Sequence, residues 1–150
     1  MPLSFVSKKE MTSQIRTVFT AQCALCHGAQ GQGQKSGKHY VFPPLWGADS
    51  YNWGAGMHRL PLAAGFIKAN MPLGQGGSLS DQQAWDVAAF INSQPRPQDP
   101  RFMGSVEETR KKYHDDDDFY GHTLNGAVLG APTQLTQGTP QIPKASQAPR

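Results

Sequence analysis

At 150 residues, with 37% hydrophobic side chains, 16 Gly and 12 Pro, the chain has the length of about one domain, and its composition fits one compact core surrounded by much irregular chain. Its formal charge of +3 is dispersed: residues 1–103 carry nine basic and five acidic side chains, residues 104–150 five and six, and the single basic cluster, Arg110 to Lys112, runs into Asp115 to Asp118. No nucleic-acid partner is therefore expected, and no apolar run reaches the roughly 18 to 20 residues of a membrane span.

From Lys9 to about Ala24, Met11, Ile15, Val18 and Phe19 recur at helical intervals and predict a first helix leading into Cys23. The following GAQGQGQKSGKHY lacks periodicity and reads as a surface loop. FPPLWGADSYNWGAGM mixes apolar residues with Pro and Gly and reads as a second loop, one that packs; Pro43 and Pro44 fix its direction. Residues 60–69 predict a middle helix with Leu60, Ala63, Ala64 and Ile67 on one side, Pro61 in its first turn, and Asn70 extended on the approach to Pro72. Ser80 and Gln83 form a capping-box pair ahead of a last helix whose stripe is Ala84, Val87, Ala88 and Ile91. That stripe is expected to pack on the first helix.

Three prolines, Pro95, Pro97 and Pro100, break the segment that follows the last helix. Domain boundaries are therefore set at 1–8 for a flexible N-terminus, 9–103 for the folded domain and 104–150 for an extended, largely disordered tail. Within that tail, Val106 to Tyr113 is one candidate helical turn with aromatic residues able to dock, RKKYHDDDDFY reads as solvated chain, and the segment from Ala131 is too poor in apolar residues to offset its ordering entropy.

Cys23-Ala-Leu-Cys26-His27 fits the attachment sequence of c-type haem. Two thiols on one turn of chain can add to the two vinyl groups of one macrocycle, and the next residue then falls under the iron, with its second ring nitrogen free to donate to an acceptor that fixes the ring. Two alternatives are weaker. A zinc site needs two more ligands, and there is no second Cys pair, only His39, His58, His114 and His122 at scattered positions. A thioredoxin-like dithiol should follow a strand, whereas this context is helical. For the sixth iron position the candidates are Met57, His58, Lys68, Met71 and Met103. Met71 is preferred, in an extended segment between two helices and beside Pro72. A thioether opposite an imidazole favours ferrous iron and leaves no open coordination position.

With these features in order, residues 9–95 resemble a class I cytochrome c, implying an all-α fold of three or four helices around one covalent haem c with its iron. The resemblance implies that Pro43, with Leu45 and Gly47 in the matching places, offers its carbonyl to His27. FPPLWGADSYNWGAGM, IKANMP, LSDQQAWDVAAFINSQ and PRP further resemble the C-terminal haem domain of thiosulfate dehydrogenases, dihaem enzymes that couple two thiosulfates into tetrathionate. This likeness spans Cys23 to Pro97. Some members of that family place a competing Lys before the Met; here the residue is Asn70.

In that family the substrate is oxidised at another haem, in an N-terminal domain with a cysteine ligand. This chain has one CxxCH and no third Cys, so it resembles the electron-exit half, and its ending from Gly104 departs from the family's. The leading expectation is a monohaem carrier of single electrons, with Cys23, Cys26, His27, Pro43, Leu45, Trp46 and Met71 binding the cofactor, His27 and Met71 on the iron, and no catalytic residue. Leu45, Trp46, Phe66, Ile67, Trp85, Val87 and Ile91 are expected to wall a dry crevice. The alternative is an electron-exit domain or subunit of a thiosulfate dehydrogenase. Expected partners are redox proteins, with a catalytic haem domain or subunit under the alternative reading. Haem attachment in bacteria resembling this family implies the periplasm, although the first ten residues lack the order of a secretion signal.

Overall fold

A computed structural model describes residues 16–134 apart from Asn125. The expected flexible N-terminus, the start of the first helix and residues 135–150 lie outside the described residues. Helix α1, described over residues 16–22, is followed after a turn at Cys23 by the short α2 (Ala24–His27). A hairpin of β1 (Gln34–Ser36) and β2 (His39–Phe42) comes next, then a 3-10 turn (Gly56–His58), α3 (Leu60–Asn70) and α4 (Asp81–Asn92). Helix α5 (Val106–Tyr113), a minimal hairpin of β3 (Thr123–Leu124) and β4 (Ala127–Val128), and a 3-10 turn (Pro132–Gln134) complete it. The fold is mostly helical, as expected, and among the described residues no helix is long and apolar enough to cross a membrane.

Two small cores hold this arrangement. In the first, Ala63, Ala64 and Ile67 of α3 meet Ala84, Val87, Ala88 and Ile91 of α4, the stripes read from the spacing. Alternating small side chains bring the two helix backbones close. The α1 contribution is Phe19, whose ring lies 5.1 Å from Phe90 and 5.3 Å from Trp46. Ser80 caps α4 as its sequence predicts: its Oγ accepts from the Gln83 N–H at 3.1 Å and the Gln83 side chain accepts from the Ser80 N–H at 2.9 Å. Two expectations shift. The extended residue before Pro72 is Met71, not Asn70, which closes α3; the restriction imposed by a proline falls on its immediate predecessor. The loop after His27 contains β1 and β2, paired antiparallel with Lys35 opposite Tyr40. Both strands are almost wholly exposed, so no apolar alternation marked them.

The second core corrects the expected disordered tail over residues 104–134. Trp53 stacks on Tyr120 with ring centroids 5.6 Å apart, and Val106 and Leu129 close around them. Residues 106–113 are helical, with Ser105 accepting from the Glu108 N–H at 3.1 Å. The charge run is not solvated chain either: the side chains of His114 and Asp118 are fully buried, and Arg110 reaches Asp116 at 2.9 Å. Composition hid this segment because its burial is achieved with paired charges and aromatic rings in place of aliphatic side chains.

Arg96, only 2% exposed, joins the two cores. It donates to Asn92 Oδ1 at 2.6 Å, to the hydroxyls of Tyr51 and Tyr120 at 2.6 and 2.9 Å, and to the Leu45 carbonyl at 2.7 and 3.1 Å. Those four acceptors are neutral, so the ion is held by hydrogen bonds, which are stronger when one partner is charged. Tyr120 donates onward to Gln94 O at 2.9 Å, and burial pushes its pKa up to about 12, keeping the phenol protonated. Arg96→Ala strands several buried acceptors and is expected to lower stability by about 2 to 4 kcal/mol, measured by denaturant unfolding of the haem-loaded protein. Arg96→Lys should recover only part of this, because an ammonium does not reproduce the fork.

Candidate haem-binding site

Helices α1 and α2 are nearly one helix: the Cys23 N–H donates to Phe19 O and the His27 N–H to Cys23 O, both at 2.9 Å. This continuity sets the CxxCH side chains on a single turn. Cys23 faces the first core and is 9% exposed, while Cys26 is half-buried, and both are free thiols. Burial, aided by the neighbouring Cys26, pushes the Cys23 thiol up to about 11. Gly28, at φ 85°, ends the turn.

His27 Nδ1 lies 2.9 Å from the Pro43 carbonyl oxygen. The N–H therefore sits on Nδ1 and the lone pair on Nε2, the nitrogen available to a metal. The chain returns to Pro43 through two backbone bonds, Gly33 N–H to His27 O at 2.7 Å and Leu45 N–H to Gly31 O at 2.8 Å. Gly31 has φ 61°, and a Cβ there would run into the Trp46 ring. No other residue fits that crossing without displacing the indole.

The sixth-position candidates separate clearly. His58 is buried with Nδ1 2.6 Å from Ala55 O and Nε2 3.3 Å from Asp118, its ring against that of His114. Lys68 is engaged by the Leu79 carbonyl and lies 3.4 Å from Asp81. Met103 is exposed, near α5. Met57 and Met71 alone border the first core, both partly buried. Met71 is extended at φ −116° and ψ 148°, tied by its N–H to Ile67 O at 2.9 Å. Of the expected crevice walls, Trp46, Ile67, Val87 and Ile91 are buried and Leu45 is half-buried. Phe66 and Trp85 are 45% and 41% exposed in the protein alone, each about one helical position off the buried stripe of its helix.

Two thiols on one turn, an imidazole with its outer nitrogen fixed, and a thioether beside the same core form a donor set suited to covalent haem. The Trp46 indole N–H is buried without an acceptor, leaving one donor at this wall unused by the protein. Residues 13–95 match the cytochrome c family. The chain belongs to that family. Its cofactor is haem c, bound covalently and carrying iron.

This cytochrome is 63% identical over 118 residues to the thiosulfate dehydrogenase of Stutzerimonas stutzeri, covering 77% of this chain and 38% of that protein. It is 56% identical over 114 residues to the thiosulfate dehydrogenase of Thiomonas intermedia, covering 75% and 36%. The solved thiosulfate dehydrogenase of Marichromatium purpuratum superposes with a TM-score of 0.75 at 54% identity, over 80% of this chain and 26% of that one. The chain thus spans about a quarter to two fifths of the length of these relatives. A match over 77% of 150 residues does not fit within residues 1–103. It must run into the segment after Gly104, so the likeness extends beyond the stretch from Cys23 to Pro97.

Sequence reasoning missed the cluster around His114. Its Nδ1 lies 2.6 Å from Asp118 Oδ2 and its Nε2 2.9 Å from Asp99 Oδ2, and its ring is 4.2 Å from that of His58. Histidines that look scattered in the chain are neighbours in space, and only the long-range path of residues 99–118 brings them together. Burial lowers the His58 pKa. Burial also works against a charged His114, but the two carboxylates outweigh it and raise its pKa. At the cysteines, the burial difference predicts that chain produced without haem is alkylated at Cys26 before Cys23, since the thiolate is the reactive form; peptide mass spectrometry over a short labelling time reads the order.

Proposed function

We propose that this cytochrome carries single electrons through one haem held by Cys23, Cys26, His27 and Met71, and that it serves as the electron-exit unit of a thiosulfate dehydrogenase in the periplasm. The observation carrying the ligand assignment is the His27 Nδ1 to Pro43 O contact of 2.9 Å together with Met71 at the edge of the same core. Support for the thiosulfate context comes from the similarity to thiosulfate dehydrogenases at 56% to 63% identity.

When bound, haem c supplies a one-electron ferric/ferrous couple. The Cys23 and Cys26 sulfurs fix the macrocycle to the α1–α2 turn. His27 presents Nε2 while Pro43 O holds its ring and tautomer. The Met71 thioether, soft and polarizable, stabilises the ferrous state and raises the potential. Trp46, Ile67, Val87 and Ile91 keep water from the buried side of the site, as a low-dielectric shell does around a metal centre. If His27 and Met71 both held the iron, no position on it would be left for a substrate. Joining two thiosulfates into tetrathionate releases two electrons, so they pass through this unit one at a time. The sulfur chemistry itself falls to a catalytic haem domain or subunit.

Met71→Ala is expected to convert the ferrous low-spin spectrum to one with an open sixth position and to lower the reduction potential, whereas Met57→Ala leaves the ligation spectrum intact. An unchanged spectrum and potential in Met71→Ala would sink the assignment. For the wider role, this protein reduced by a stoichiometric donor should transfer its electron to an oxidised c-type cytochrome in stopped flow, while thiosulfate alone fails to reduce it. Direct reduction by thiosulfate would show that the sulfur chemistry occurs here.

A further inference from the structure

We propose that His58 Nε2, His114 Nδ1 and Asp118 Oδ2 form a buried site for a divalent transition-metal ion of zinc type, separate from the haem site. The three ligand atoms lie within 4.8 Å of one another, and none of the three side chains has a role in holding haem. His58 is 5% exposed, and its Nδ1–H donates to Ala55 O at 2.6 Å. That leaves Nε2 as a lone pair aimed at Asp118 Oδ2, 3.3 Å away, buried and without a hydrogen-bond partner. A lone pair facing a carboxylate is unfavourable unless a proton or a metal cation lies between them, and burial disfavours the protonated ring.

His114 has the complementary arrangement. Its Nε2–H donates to Asp99 Oδ2 at 2.9 Å, and Asp99 is itself held by Arg101 at 2.8 and 3.0 Å, so Nδ1 is the nitrogen directed at the site. Both imidazoles thus have their outer nitrogens fixed by an oxygen acceptor, the pattern that orients metal-binding histidines. Bonds of about 2.0 to 2.1 Å in a tetrahedron separate ligand atoms by about 3.3 Å. The His58–Asp118 pair already stands at 3.3 Å, and the His114–Asp118 pair opens from 2.6 Å. Asp118 Oδ1, buried without a hydrogen-bond partner and 3.5 Å from Arg110 Nε, supplies a second oxygen.

Asp118 supplies the anionic ligand, Asp99 stays paired with Arg101 and Arg110 lies 3.5 Å from Asp118 Oδ1, and uptake releases one proton from His114 Nδ1 to solvent. The ligands come from the 3-10 turn before α3 and from the loop after α5. The ion would therefore fasten the 104–134 segment to the haem-binding part.

The test uses the full haem-loaded chain, stripped of other metals by a chelator and titrated with zinc alone. One zinc per chain by calorimetry, a raised Tm, and at least tenfold weaker binding in Asp118→Asn and His58→Gln with an unchanged haem spectrum are the expected results. X-ray absorption at the zinc edge should show a nitrogen and oxygen shell with two imidazoles. No zinc binding, undiminished binding in both variants, or a shell with fewer than two imidazoles overturns the proposal. Should the variants fail to fold, the zinc-edge spectrum of the wild-type protein decides alone.

Discussion

The buried guanidinium of Arg96 is the constraint on which the rest of the structure depends. It fixes the Leu45 carbonyl from one side, two residues after the proline whose carbonyl holds His27. It also binds α4 through Asn92 and the C-terminal segment through Tyr120. A continuous path of short polar contacts therefore runs from Tyr120 to the loop that orients His27. Burying an ion without a counter-ion is costly, and four neutral acceptors at hydrogen-bond distance offset that cost only while all stay in place. The loop around Trp46 is thus positioned by the C-terminal segment as well as by its own prolines.

This explains which parts of the molecule were legible in its sequence. Helices α3 and α4 carry aliphatic stripes at helical spacing, and the Ser80 and Gln83 pair states where α4 starts. CxxCH is local, so the haem site could be read from five adjacent residues, and the loop FPPLWG declared itself by resemblance. The β1–β2 hairpin carries no buried face and left no period to detect. The second core was invisible for a different reason. Its stability comes from Asp99, His114 and Asp118, from Arg96, and from Trp53 stacked on Tyr120, pairs formed across 4 to 67 positions of sequence. A run such as DDDDF reads as solvated by composition, and only geometry shows that Asp118 points inward while Asp115 and Asp116 face water.

The segment over residues 104–134 is accordingly a structural part of this cytochrome. The match to thiosulfate dehydrogenases extends into it, and the superposition on the solved relative covers 80% of the chain. Its charged residues are fastened both to the preceding part, Arg59 to Asp117 at 2.8 Å, and within the segment, Arg110 to Asp116 at 2.9 Å. The exposed one of each pair contributes little by itself. The fully buried His114, Asp99 and Asp118 matter more, because any one left unpaired in the interior carries a desolvation penalty.

A closely packed surround of this kind fits the carrier role proposed above. In the proposed ligation, His27 and Met71 belong to different elements, α2 and the exit of α3, and both elements are packed against Trp46 and α4. The same surround must hold the iron in two oxidation states with little rearrangement. A substrate site would need a vacant coordination position and room for a sulfur anion to approach. Forming a sulfur–sulfur bond also requires two electrons to leave, and one haem of the proposed ligation would take only one. On the proposed reading the chemistry of bond formation would fall to another site, and the residues around His27 would serve the passage of its electrons.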